Sequence, residues 1–234
     1  KGLTGCPVVL EGSDLKGGFT QITAKGEPKF ERLTDGLGGH YTIMDIYFKP
    51  YTACRHTHGA AQATLALVKE HGIKANDIEA VTVSTYAIAG IAVGKGVPDG
   101  GTFVSAQFSI PYVVAACILD GDLGPLQLTE RRMADPVIME LAKKVTVTSV
   151  DELNMMYPDK TASRAEIMLK DGKKVELLVD IPKGDPRDPM EEKDIMQKIV
   201  RFAGSRDTKK IERTADMIMN IEKMEDIGEL VSLI

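Results

Sequence analysis

The sequence predicts an α+β fold, in which a small α+β domain is flanked by parts of an all-α helical domain. Alternating apolar residues and a hairpin signal occur in the middle of the chain, whereas helical spacing dominates from Met190 onward. The first 48 residues are interrupted by glycines and contain only short apolar pieces. We therefore predict an α+β domain over 49–182, with the loop-rich segment 1–48 and the helices of 183–234 belonging to the helical domain.

Two helices and a strand are predicted before residue 120. Alanine and leucine recur at helical spacing from Gly59 to Glu70, and Gly72 is a suitable C-terminal stop. The segment from Asn76 to Thr85 alternates apolar and polar residues, which is typical of a strand with one buried face. After a glycine-rich loop, Phe103 to Leu119 is apolar on nearly every side, which predicts a single deeply buried helix.

The second half of the predicted domain contains a helix, a strand and a hairpin. Asp135 and Pro136 form an N-cap followed by proline, which predicts a helix to Lys143 and then a strand over Val145–Thr148. Asp171-Gly172 is a strong hairpin signal. It lies between the predicted strands Ala165–Leu169 and Lys174–Val179.

Composition argues against several classes of protein. The 234 residues, 43% of them hydrophobic, can bury a core, and neither a secretory signal nor an apolar run long enough to span a membrane is present. We therefore expect a cytoplasmic protein, and the non-methionine start is typical of a mid-protein beginning. Three widely spaced cysteines fit free thiols, and the net charge of -5 argues against nucleic acid as a partner.

The densest group of ionisable side chains lies at 48–59, directly before the first predicted helix. A helix N-terminus has unpaired N–H groups and the positive end of a dipole, so cationic side chains there would form a receptor for carboxylates. A lysine or histidine could also move a proton at the carbon beside a carboxylate. The alternative is a solvated loop that only caps the helix. The side chains concerned are Lys49, Tyr51, Cys54, Arg55, His56 and His58.

Other site chemistries have weaker support. Cys54, His56 and His58 offer zinc-ligand atoms within five residues, but no second ligand cluster accompanies them, so we expect no metal. The glycines around Lys95 match neither nucleotide-binding fingerprint, and no serine lies in a nucleophile elbow.

Two motifs carry a resemblance to a known family. The chain resembles the MmgE/PrpD family in two motifs, F-K-P-Y-x-x-C-R-H-T-H-G at 48–59 and S-A-Q-F-S-I-P-Y-V-V-A-A-x-I-L-D-G at 105–121. Segments at 4–12 and 183–189 agree in the same order. The resemblance implies a homodimeric enzyme without cofactors, in which residues 49–182 form a lid over the helical domain and the active site lies between them. It also implies that an amino-terminal helical half is missing from this chain.

The resemblance implies roles for five residues of the first motif. Lys49 and His58 match active-site residues, so we expect them to be catalytic, while Arg55, His56 and Tyr51 are expected to bind substrate. In the decarboxylase branch of the family, a lid tyrosine lies near positions 87–91, and Tyr86 is offset from it.

The expected function is that of a lyase for small di- and tricarboxylates, similar to 2-methylcitrate dehydratase. It would remove a proton beside a carboxylate and expel water. An isomerase or epimerase, or a cis-aconitate decarboxylase, would use the same proton chemistry and stays open. A non-catalytic partner subunit or an anion-binding relative is the alternative from another class.

Overall fold

The computed structural model describes residues 18–23, 26–27, 29–204 and 207–233. The chain divides into two compact units, Lys1–Asp45 and Ile46–Ile234. The first unit contains the short helix α1 (Phe19–Thr23) and two 3-10 turns, so its described part is loop-rich as predicted. The segment at 4–12 that contributes to the resemblance lies outside the described residues.

Among the described residues, four strands of the second unit form one mixed sheet. They are β1 (Ile78–Thr85), β2 (Val145–Ser149), β3 (Ser163–Leu169) and β4 (Lys174–Val179), in the order β2-β1-β3-β4. β1 pairs in parallel with β2, whereas β3 is antiparallel to both β1 and β4. The predicted hairpin is confirmed, and Gly172 takes the positive φ that its turn requires.

Helices cover this sheet and complete the α+β fold that the sequence predicts. The central pair consists of α2 and α5, which pack against each other, while α2 also packs on β3 and β4. Every residue of α5 from Ile110 to Cys117 is buried. The described helices of the second unit, including the C-terminal ones, are in chain order α2 (His58–His71), α3 (Ala87–Val93), α4 (Phe103–Gln107), α5 (Ile110–Asp120), α6 (Glu130–Met133), α7 (Pro136–Lys143), α8 (Asp151–Met156), α9 (Glu192–Ala203), α10 (Thr208–Met219) and α11 (Ile227–Val231).

One helix prediction was wrong. The apolar run from Phe103 to Leu119 is not a single buried helix but two helices, α4 and α5, with Phe108 and Ser109 between them. Ser109 has extended backbone and accepts a hydrogen bond from the Tyr112 N–H, so it caps a new helix. Phe103, on the short first helix, is exposed.

Other helices that have a strong local signal, such as a capping residue, are predicted correctly, and a helix without one is missed. The predicted α2 with its Gly72 cap and the predicted α7 with its Asp135 cap are confirmed. The region predicted as a glycine-rich loop contains α3, which was missed. Gly90 lies within α3, where an added Cβ would overlap the Ser149 hydroxyl, so this glycine allows close packing of α3 on the end of β2.

The C-terminal segment is helical, as the spacing predicts. α9 and α10 pack against each other, and α11 contacts α10. The face of α9 with Ile195, Ile199 and Phe202 is only half-buried. Within the described part of the chain, none of the helices is both long enough and apolar enough to cross a bilayer.

Candidate active site

The start of the 48–59 segment is held by the loop at 182–188, which follows β4. The Phe48 N–H donates to the Gly184 carbonyl at 2.9 Å. Gly184 has a φ of 88°, and a Cβ atom there would overlap the Phe48 carbonyl oxygen, so only glycine permits this approach. The loop at 182–188 therefore sets the position of the backbone just before Lys49.

Helix α9 also holds this backbone, at Lys49 and Pro50. The Lys198 ammonium donates to the Lys49 carbonyl at 2.7 Å, and the Arg201 guanidinium donates to the Pro50 carbonyl. Arg201 is itself oriented by Asp122 at 2.9 Å. The Lys49 side chain is exposed, and within the described residues its ammonium has neither an ion pair nor a hydrogen bond. The structure thus fixes the Lys49 backbone and leaves its charge available.

A cleft of about 200 Å³ lies beside this backbone, between residues 50–51 and α9. Its lining includes Lys198, Arg201 and also Lys183, which is paired with Asp188 at 3.1 Å and Asp194 at 3.6 Å. Burial lowers the pKa of Lys198, and the charges of Arg201 and Lys49 lower it further. Positive groups are therefore held close together here, a condition that an anionic ligand would relieve.

The Arg55 side chain binds other groups of this chain. Its guanidinium is buried and donates to the carbonyls of Lys183 at 2.9 Å and Pro182 at 2.8 Å. It lies 4.4 Å from the centre of the Tyr47 ring and 3.9 Å from the Asp185 carboxylate. In this geometry Arg55 fastens the 182–185 loop onto the motif. Its role in substrate binding stays a prediction.

His58, the first residue of α2, is fully enclosed. Its exposed fraction is 0%, its Nε2 lies 3.3 Å from the Ala53 carbonyl, and its Nδ1 has no hydrogen-bond partner within the described residues. Tyr51 packs its ring edge-on at 5.3 Å. Burial, together with the charge of Arg55, lowers the pKa of His58 to about 3. The imidazole is therefore neutral at physiological pH, and its predicted catalytic role stays a prediction.

His56 has a different environment, although it lies only two residues earlier. It is half-buried, and its Nδ1 lies 2.5 Å from the Tyr86 hydroxyl. Tyr86 is fully buried and stacks on Tyr157 at 4.7 Å with an interplanar angle of 12°. Burial lowers the pKa of His56, with a further contribution from the charge of Lys49. Lys49, His56 and Tyr51, which is half-buried and lines the cleft, are thus the predicted site residues that combine charge or polarity with access.

Three residues at this site were not assigned a role from the sequence. Lys198 and Arg201 lie on α9, and Tyr86 follows β1, far from the motif along the chain. No motif spacing marks them, because their contacts with residues 49–56 arise from packing of distant segments. Within the described ranges, no group of three or more His, Cys, Asp or Glu side chains is arranged to hold a metal ion.

Comparison with known proteins adds the following relationships. The model of the MmgE/PrpD C-terminal domain matches residues 51–223. Cis-aconitate decarboxylase of Aspergillus terreus is 26% identical over 93% of this chain and 47% of its own length. The human cis-aconitate decarboxylase is 26% identical over 100% of this chain and 48% of its own length. The 2-methylcitrate dehydratase of Cupriavidus necator is 30% identical over 80% of this chain and 39% of its own length.

The chain therefore spans about half the length of the decarboxylases that it matches, and less of the dehydratase. The family match covers most of the chain and includes Lys198 and Arg201 of α9 as well as all of the first motif from Tyr51 onward. The chain belongs to the MmgE/PrpD family.

Proposed function

We propose that this chain is part of a lyase for small di- and tricarboxylates, with dehydration of a 2-methylcitrate-like hydroxy acid as the leading reaction. The observation that carries the proposal is the cationic cleft beside Lys49. Lys198 and Arg201 border this cleft, and the charge of Lys49 acts on Lys198. Its volume of about 200 Å³ suits a small organic acid.

The charges of the cleft favour a ligand with more than one carboxylate. Arg201 is paired with Asp122, and Lys183 is paired with Asp188 and Asp194, of which Asp194 also lines the cleft. Within the described residues, the ammonium groups of Lys198 and Lys49 have no carboxylate partner, so two positive charges are left for the carboxylates of a ligand. Hydrogen bonds between ionised groups are about twice as strong as neutral ones, and they orient the ligand as well as hold it. A ligand clamped in this way presents the carbon beside its carboxylate in a defined position.

The proposed reaction needs one base and one acid. The base removes a proton from the carbon beside a carboxylate, the electron pair forms the double bond, and the hydroxyl group leaves as water after accepting a proton from the acid. Lys49 would bind the carboxylate or transfer one of these protons. We propose that the remaining groups come from an amino-terminal helical half outside this chain, that the active enzyme is a homodimer, and that it uses no cofactor.

Decarboxylation is the second candidate, because cis-aconitate decarboxylases match nearly the full chain. In that reaction the carboxylate carbon leaves as CO₂, and the electron pair left on the substrate carbon accepts a proton. The same cleft and Lys49 would serve both reactions. An epimerase would return the proton to the opposite face of the carbon.

The proposal is tested by assaying the whole protein that carries this chain with 2-methylcitrate, cis-aconitate and iminodisuccinate, and by identifying the products by NMR. Lys49→Ala should lower kcat/KM by about 100-fold or more, since positioned proton transfer and charge stabilisation have effects of that order. Lys69→Ala, an exposed lysine at the far end of α2, is the matched control and should leave kcat/KM unchanged.

The outcomes separate the alternatives. Loss of water from 2-methylcitrate supports the leading reaction, and CO₂ release from cis-aconitate supports the second. Binding of these acids without turnover would favour the anion-binding or partner-subunit alternative. Near-normal turnover by Lys49→Ala would reject the role proposed for that lysine.

A further inference from the structure

Tyr86 is held rigidly at the end of β1. Its ring is fully buried and stacked on Tyr157. The backbone on its C-terminal side is also fixed, because the Ala87 N–H donates to the Asn154 side chain at 3.2 Å and the Tyr86 carbonyl accepts from the Gly90 N–H at 3.1 Å. The phenol oxygen is therefore an anchored point, and it lies 2.5 Å from His56 Nδ1.

The surroundings of the phenol decide the direction of this hydrogen bond. Within the described residues, His56 Nδ1 is the hydrogen-bond partner of the Tyr86 hydroxyl. If His56 instead donated from Nδ1, the buried phenol hydrogen would have no acceptor, and an unsatisfied buried donor is costly. Tyr86 therefore donates and Nδ1 accepts. In a neutral imidazole that accepts at Nδ1, the proton is on Nε2.

The other ring nitrogen of His56 is available to a ligand. The structure gives Nε2 no hydrogen-bond partner among the described residues, and it is not among the buried polar atoms that lack one, so it is accessible. The charge of Lys49 acts on this imidazole. The Nε2 of His58 is not available in this way, because its whole side chain is enclosed and its Nε2 lies by the Ala53 carbonyl.

From this geometry we propose that Tyr86 is a positioning residue for His56, and that His56 presents a neutral Nε2–H donor to a carboxylate or hydroxyl oxygen of the substrate. The inference rests on the proposed function and names one further contact of the same site. A neutral donor can stabilise negative charge that develops on a substrate oxygen without transferring its proton. Tyr86 contributes by keeping that donor on Nε2 and by fixing the plane of the ring.

The first test needs no turnover. ¹⁵N NMR of the whole protein should show His56 with its proton on Nε2 and none on Nδ1. In Tyr86→Phe, which keeps the stacked ring but removes the phenol, His56 should become a mixture of both tautomers. Tyr157→Phe is the matched control, because it removes a hydroxyl from the same stack and leaves the contact with His56 in place. A His56 proton on Nδ1 in the unsubstituted protein overturns the inference.

The second test measures contact with a ligand. Tricarballylate is a tricarboxylate with neither a hydroxyl group nor a double bond, so it can bind without reacting. Saturation with tricarballylate should shift the Nε2 resonance of His56, and Tyr86→Phe should weaken its binding about tenfold, as expected for one misaligned hydrogen bond. An unchanged Nε2 resonance overturns the inference, whether or not the protein is an enzyme.

Kinetic variants complete the test. His56→Gln keeps an N–H near the position of Nε2 and should retain more activity than His56→Ala, which removes it. Equal activity of these two variants would count against the role of His56. Equal losses of activity in Tyr86→Phe and Tyr157→Phe would count against the role of Tyr86 in positioning His56. If the unsubstituted protein turns over none of the polycarboxylates but the Nε2 shift with tricarballylate is seen, the proposed reaction fails and the contact stands.

Discussion

The buried imidazole of His58 makes the stability of this fold sensitive to acid. The side chain is fully enclosed, and its pKa is lowered from 6.5 to about 3 in the folded protein. The unfolded chain binds a proton at His58 near pH 6.5, whereas the folded chain binds it only near pH 3. The unfolded state is therefore favoured progressively as the pH falls below 6.5, and the effect is absent at pH 8.

The magnitude follows from the two pKa values. Linkage predicts that His58 alone removes about 2 kcal/mol from the free energy of unfolding at pH 5 relative to pH 8, and about 3 kcal/mol at pH 4. These losses are a large fraction of the total stability of a typical domain, which is roughly 5–15 kcal/mol. Unfolding should therefore become measurably easier within a mildly acidic range.

The assay is urea unfolding of the protein at pH 8, 6, 5 and 4 with and without the substitution His58→Leu. Leucine has a similar volume and cannot be protonated. Between pH 8 and pH 5, the free energy of unfolding of the variant should therefore fall by about 2 kcal/mol less than that of the unsubstituted protein. His71→Gln, at the exposed end of the same helix, is the control and should leave the pH dependence of the unsubstituted protein intact. Parallel pH profiles for the unsubstituted protein and His58→Leu would refute the reasoning.

Two further predictions concern the surroundings of Lys49, and a third concerns the use of a metal. Gly184→Ala should lower the free energy of unfolding by about 2 kcal/mol, because the backbone has a positive φ and the new Cβ meets the Phe48 carbonyl; an unchanged urea midpoint would contradict this. Lys198→Met should raise KM for the polycarboxylate about tenfold, since it removes one cation and the bond to the Lys49 carbonyl. The control Lys193→Met, on an exposed lysine of the same helix, should leave KM unchanged. Dialysis against a chelator should leave activity intact if the enzyme uses no metal, and recovery of lost activity by an added metal ion would show that this expectation is wrong.

The elements that the sequence predicts correctly are those whose signals are local. The alanine and leucine spacing of α2, its Gly72 cap, the Asp135 cap of α7 and the Asp171-Gly172 turn all act between residues a few positions apart. The run from Phe103 to Leu119 also contains a local signal, because Ser109 caps α5 and Pro111 lies in its first turn. The prediction relied on apolar spacing, and apolar residues on every side define no face, so it did not use this cap and joined two helices into one.

The sequence alone was sufficient to identify the family and the segment in which the chemistry was sought, because the 48–59 motif is continuous along the chain. What it could not assign was the environment of each side chain in that motif. Lys49 is exposed, Arg55 holds the 182–185 loop, and His58 is enclosed, although all three lie within ten residues.

Tertiary structure decided these differences, because burial and hydrogen-bond partners come from segments far away in the chain. Tyr86 lies 30 residues from His56 along the chain, and Lys198 lies 149 residues from Lys49. Periodicity and capping report interactions within a few residues, so they determine helices, strands and turns. The protonation state and accessibility of a side chain depend on which distant atoms exclude water from it, and that is settled only when β1, α2 and α9 pack together.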